Sequence, residues 1–317
     1  MDKKPIISSD MLIEQAVAIA NDGRKKTVVV AVAQDVDVIE AVVEAQKTGY
    51  LNGVLVGDKS KIESLADEKN IDLKEMNIID EPDVLIAANK AVELASTKEA
   101  DAIMKGFLPT SALLKTILKK EYNLRGKETL SHCAVLDIPG YHKLLNLTDG
   151  GMVVKPTKEQ KLGILENAIT VSKALNLTPV RIAISGATNL NSSKISHIKD
   201  DVEFLIPKAK EMFPDVEIKA PLPFDLATSK KAAKHRNLDD AVSGDADVYL
   251  VDSIEECNLV AKSLIQFAQA VFAGVIVGAK VPVSLVSRTD TVKNKKTSLA
   301  IACLMADYYD QNNFWGN

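Results

Sequence analysis

Short runs of β-branched residues, each followed by a longer stretch with apolar positions three and four apart, recur along this chain and constrain its fold more than any single motif. Residues 27–33 (TVVVAVA) are a β-branched and apolar run, as suits a strand covered on both faces. Residues 36–48 follow with the helical period, and Gly49 can close that helix in the left-handed conformation. The unit then repeats. Residues 53–56 read as a strand, Ser60 and Glu63 as a capping box for a helix to about residue 69, and residues 77–79 and 102–104 as strands around a helix over 84–96. Alternation of this kind predicts an α/β fold built on parallel sheet.

After a helix over 111–120 and a turn-rich stretch at 123–127, the pattern resumes at 131–136 (SHCAVL). Thr157 and Gln160 predict a capping box ahead of a helix to residue 175. Strands follow at 181–185 and 247–251, a helix over 254–270, strands at 274–277 and 283–286, and a closing helix over 297–308. A chain of 317 residues exceeds what one hydrophobic core usually sustains, so two lobes are expected, with a boundary near residue 130.

Composition narrows the function classes. At 46% hydrophobic and 26% charged, the chain is ordinary globular material, and a net charge of -4 gives no global positive field for a nucleic acid or an anionic membrane. Any anion must be held locally. The greasiest stretch, 271–279, is interrupted by Lys280 well short of membrane-spanning length. The opening MDKKPIISSD has no apolar signal core, and three scattered cysteines (Cys133, Cys257, Cys303) suit thiols of a reducing compartment, so a cytoplasmic protein is expected.

The common signatures of dinucleotide, P-loop, elbow-serine and zincin chemistry do not occur, and His132, His142, His197 and His235 are not spaced as metal ligands. What the chain offers instead is a set of turns at predicted strand ends, where open parallel sheets collect anionic ligands. Ser287-Arg288-Thr289-Asp290 puts a hydroxyl, a fixed cation and a carboxylate within four residues, although a solvated turn can carry the same letters. Met104-Lys105-Gly106, with Thr110 and Ser111 beyond, offers a point charge, a glycine for close backbone approach and a hydroxyl cap. Thr148-Asp149-Gly150-Gly151 reads as a polar turn, and Asp225 as a helix cap when taken alone.

In this order, the segments AIMKGFLPTSALLKTIL, SHCAVLD, YHKLLNLTDGG, PFDLATSKKAAKH, SGDADVYLVDSIEECNLVAKSL and GVIVGAKVPVSLVSRTD resemble the phosphate acyltransferase family, which contains phosphate acetyltransferase and phosphate butyryltransferase. The resemblance is densest from Ala102 onward, and the last two segments look closer to the butyryl branch. It implies reversible acyl transfer: acyl-CoA and inorganic phosphate give acyl phosphate and CoA by direct attack in a ternary complex, with no metal or redox cofactor. It implies a two-lobed fold like that of isopropylmalate and isocitrate dehydrogenases, with the active site in the interlobe cleft. Residues 1–130 and 275–317 would form one lobe and 131–274 the other. A homodimer or a multiple of dimers is expected, with an acyl-phosphate-using kinase as a functional partner.

The family's functional motif falls on Ser287 and Arg288. Asp290 is the expected base, because the acetyl branch's carboxylate position falls on Asn294, which cannot accept a proton. Lys105, Gly106 and Thr110 match the glycine-loop motif, Thr148 and Asp149 the Thr-Asp turn, and Asp225 a recurrent acidic position; all six are expected to contact CoA or phosphate. Gly150-Gly151 departs from the alanine often found there. The alternatives are a phosphate acetyltransferase, a metal- and NAD-dependent hydroxyacid dehydrogenase, which five scattered arginines serve poorly, and a non-catalytic CoA-sensing module.

Overall fold

A computed structural model of the chain describes residues 4–186 and 196–316; the side chain of His197 lies outside what is described. The chain runs through α1 (Ser9–Ile19), β1 (Lys26–Ala31), α2 (Val36–Thr48), β2 (Leu51–Gly57), α3 (Lys59–Glu68), β3 (Asn77–Asp80), α4 (Val84–Ser96), β4 (Ala102–Lys105) and α5 (Thr110–Ile117). It continues through β5 (Ser131–Asp137), β6 (Leu144–Thr148), α6 (Lys158–Ala174), β7 (Val180–Ile184), α7 (Ser196–Met212), β8 (Val216–Lys219), α8 (Phe224–Thr228) and α9 (Lys230–His235). Last come β9 (Val248–Leu250), α10 (Ile254–Phe267), β10 (Val271–Val277), β11 (Val283–Ser284) and α11 (Val292–Gln311).

Two compact units divide the chain. A terminal unit combines Ser9–Glu128 with the residues from Ala273 onward, and a middle unit combines the described residues up to Ser8 with Thr129–Phe272. In the terminal unit the strands lie in the order β3-β2-β1-β4-β11-β10; in the middle unit they lie in the order β5-β6-β9-β7-β8. Pairing within each unit is parallel except at β10–β11 and β5–β6. Those two exceptions have a local cause: neither connection contains the helix that a parallel crossover needs.

The core of the terminal unit explains its strands. Val28, Val29, Val30 and Ala31 are fully buried, which accounts for the unbroken apolar run. Helix α11 packs against α1, α2 and β1 and is buried on nearly every side from Leu299 to Met305. Gly49 closes α2 as expected, at φ 97°, with its N–H bonded to the carbonyls of Ala45 and Gln46. The Thr157–Gln160 capping box opens α6 as expected.

Other local expectations change. Helix α3 is capped by Asp58, which accepts from Lys61 N at 3.1 Å, and not by a Ser60–Glu63 box. Helix α5 begins at Thr110 behind Pro109, without a side-chain cap from Thr110 or Ser111. Asp225 lies exposed inside the short α8, whose N-cap is Pro223, so it caps nothing. Helix α11 starts at Val292, five residues earlier than its apolar period suggests, because Thr291 caps it by accepting from Asn294 N at 3.2 Å.

Register fixes where the terminal unit's loops meet. Ala31 pairs with Lys105, and Met104 pairs with Ser284, both in parallel ladders. The chain therefore leaves β1, β4 and β11 at the same sheet end, which brings residues 32–35, 106–109 and 285–291 side by side.

Candidate active site

At that sheet end the strands are closely docked. Gly106 N donates to Ala31 O at 3.0 Å and Phe107 N donates to Val32 O at 2.6 Å. A Cβ on Gly106 would stand 2.1 Å from Val32 O, so the close approach this glycine permits is to the chain itself. Val32 takes φ 63°, a left-handed conformation that costs a β-branched residue about 1–3 kcal/mol. That strain turns the Val32 carbonyl toward the Phe107 N–H.

Lys105, at the end of β4, is buried, and its Nζ donates to the carbonyls of Gly106 and Leu108 at 3.2 and 3.3 Å. Burial pushes its pKa down, the charges of Arg288 and Lys295 push it further the same way, and Asp35 opposes them. Arg288 is exposed and lies over the Phe107 ring, with Cζ 4.4 Å from the centroid. Among the described residues, neither Lys105 nor Arg288 has a carboxylate within 4 Å. Two cations, one buried and one exposed, thus share a corner with no carboxylate within 4 Å of either among the described residues. Such a corner favours an incoming anion.

The Ser287–Asp290 segment is a tight turn. Asp290 N donates to Ser287 O at 3.2 Å, and Ser287 N donates to Asp290 Oδ2 at 2.5 Å. Asp290 Oδ1 meets Asn294 Nδ2 only at 3.5 Å, so that oxygen keeps acceptor capacity. The Ser287 hydroxyl is exposed and 3.1 Å from Thr289 Oγ1. Of the sequence-predicted residues, Lys105, Gly106, Ser287, Arg288 and Asp290 converge on this sheet end, and Thr110 opens the helix that follows its β4 loop.

Thr148, Asp149 and Asp225 belong to the middle unit. Thr148 donates its hydroxyl to His132 O at 3.0 Å across the β5–β6 pair. The buried Asp149 carboxylate accepts from the main-chain N–H groups of His132, Gly151, Met152 and Val153 at 2.9–3.1 Å. Burial raises its pKa while those four donors pull the other way. The two glycines have a packing reason: a Cβ on Gly150 would lie 2.9 Å from Cys257 Sγ, and one on Gly151 3.0 Å from His132 Cβ.

Sequence reasoning missed Phe107, whose ring carries Arg288, and Lys295, which is fully buried near the Ser287–Asp290 turn. The signal for Lys295 was Thr291, a cap residue that moves the helix start ahead of the lysine-rich stretch. Among the described residues, no cluster of three or more His, Cys, Asp or Glu side chains is arranged to hold a metal ion. No helix there is long and apolar enough to cross a membrane.

Comparison with known proteins identifies the family. Residues 11–87 and 84–303 match the family described as Phosphate acetyl/butaryl transferase. The phosphate butyryltransferase of Clostridium acetobutylicum is 36% identical over 281 residues, covering 89% of this chain and 93% of that protein. The crystal structure of a branched-chain phosphotransacylase from Enterococcus faecalis V583 superposes with a TM-score of 0.77 at 31% identity, over 89% of this chain and 99% of that one. A 4-hydroxythreonine-4-phosphate dehydrogenase from Klebsiella pneumoniae shares the fold alone, with a TM-score of 0.54 at 13% identity over 89% and 99% of the two chains. The chain belongs to the phosphate acetyl/butyryl transferase family.

Proposed function

We propose that this protein is an acyltransferase that moves a short acyl group reversibly between CoA and inorganic phosphate, with butyryl-CoA and phosphate as the preferred pair. Family membership supports the reaction class. The observation that carries the site assignment is the Arg288 guanidinium, held on Phe107 beside buried Lys105 with no carboxylate within 4 Å among the described residues. That is the charge a phosphate dianion or a departing acyl-phosphate oxygen requires.

In the direction of acyl-CoA synthesis, the CoA thiol is mostly protonated near neutrality and needs a base. The Asp290 carboxylate takes the thiol proton while the Ser287 hydroxyl orients the sulfur. The sulfur lone pair forms the new C–S bond at the acyl carbonyl. The C–O bond to phosphate then breaks, and its electron pair leaves on phosphate, held by Arg288 and Lys105. Both substrates react directly, with no covalent acyl-enzyme and no added metal or redox cofactor. Thr110 stands near the β4 loop as a further contact to phosphate or CoA. Within the middle unit, Thr148 and Asp149 hold the loop at residues 149–153, and Asp225 is exposed as a candidate contact to CoA or phosphate.

The test is CoA release from butyryl-CoA, measured with and without phosphate, in wild type and Arg288→Ala. Phosphate-dependent release that Arg288→Ala loses with its fold intact supports the assignment; undiminished release by the variant removes Arg288 from the site.

A further inference from the structure

Lys295 has no solvent exposure, although it lies in the first turn of α11 within a lysine-rich stretch. Its Nζ donates to the carbonyl of Asp290 at 2.5 Å and faces Asp37 Oδ2 at 3.6 Å. A buried ammonium is costly to desolvate and persists only where hydrogen bonds and a counter-charge offset it. Here the carbonyl supplies the first and Asp37, in the first turn of α2, supplies the second. Lys295 also acts on Lys105, whose charge is further influenced by Arg288 and Asp35.

The consequence is mechanical. The Ser287–Asp290 turn is gripped from two sides, by the Asp290 carboxylate on Ser287 N and by Lys295 on the Asp290 carbonyl. Through Asp37 the same lysine ties that turn to the start of α2, next to the strained Val32 loop that docks Phe107. Lys295 therefore links the element that carries Ser287 and Arg288 to the elements that carry Phe107 and Lys105.

We infer that Lys295, with Asp37 as its counter-charge, is a positioning residue that fixes the Ser287–Arg288 turn for acyl transfer. This rests on the proposed function. Lys295→Met removes the grip without adding a polar group. Because displacement of a reacting group by about 1 Å can cost about 10²-fold, kcat per folded molecule falls by up to that factor, with little change in KM for acyl-CoA. Asp37→Asn, at a partly exposed residue, gives a smaller fall in the same direction. In both variants the amides of residues 287–291 exchange faster, while residues 299–305 of α11 stay protected.

A lysine that merely stabilises the helix would lower the melting temperature and leave kcat per folded molecule alone. Wild-type kcat in Lys295→Met, or in Asp37→Asn if the first variant does not fold, overturns the inference, as does unchanged exchange of the turn. Absence of phosphate-dependent CoA release in the wild type would instead sink the functional reading, and the exchange comparison would still report whether Lys295 holds the turn.

Discussion

In the proposed reaction, Arg288 and Lys105 hold phosphate from differently constrained side chains. Arg288 is exposed and stacks on the Phe107 ring; Lys105 is buried and donates to two carbonyls. Arg288→Ala should lower kcat by about 10²–10³-fold, the usual cost of one preorganised donor, with melting temperature unchanged. Phe107→Leu should cost only severalfold, because an exposed cation–π contact is worth about 0.5–1 kcal/mol. Paired initial-rate and melting measurements check both. Lys105 also gives a signed pH prediction. Its folded-state pKa is lowered, by burial first and the Arg288 charge second, so the unfolded chain binds its proton more tightly. Between the lowered value and the ordinary 10.5, stability rises with pH, and Lys105→Met should lose that rise. A bound dianion favours the ammonium, so phosphate affinity should weaken as pH climbs through the same window. Melting series of wild type and Lys105→Met, each with and without phosphate, isolate this lysine from the others.

At the scale of elements, the caps and turns decide which residues reach the site. Thr157→Ala should cost about 0.5–2 kcal/mol by opening the capping box of α6, with activity below the melting transition little changed. Asp149→Asn should cost about 1–3 kcal/mol, because an amide nitrogen would face a main-chain N–H where a carboxylate oxygen now accepts one. Chemical denaturation measures both. The same logic explains what was legible from sequence. Helices α2 and α4 could be bounded to the residue, since strong periodicity meets a clear end signal in each. Strands β6 and β8 and helix α7 were not anticipated: β6 mixes Asn146 and Thr148 into a buried strand, and β8 is four residues of mixed polarity. The site's backbone was legible in Ser287, Arg288, Lys105 and Gly106, because loops at strand ends carry chemistry. Phe107 was not, because it matters through Arg288, distant in sequence, and Lys295 was not, because the apolar period puts the helix start five residues too late.

At the scale of the whole molecule, the fold supplies strand ends and the sequence supplies which anion they receive. One methylene in a hydrophobic acyl pocket is worth only about 1–3 kcal/mol. Graded rates across acyl chains are therefore expected, not an absolute preference. The decisive property of the protein is whether phosphate is its acyl acceptor. The direct measurement is thiol release from acetyl-, propionyl-, butyryl- and isobutyryl-CoA, with and without inorganic phosphate, with the acyl product identified. Release that requires phosphate, yields acyl phosphate and is fastest with a four-carbon chain is the predicted result. Equal release in phosphate-free buffer, with free acid as the product, would mark a thioesterase and contradict it.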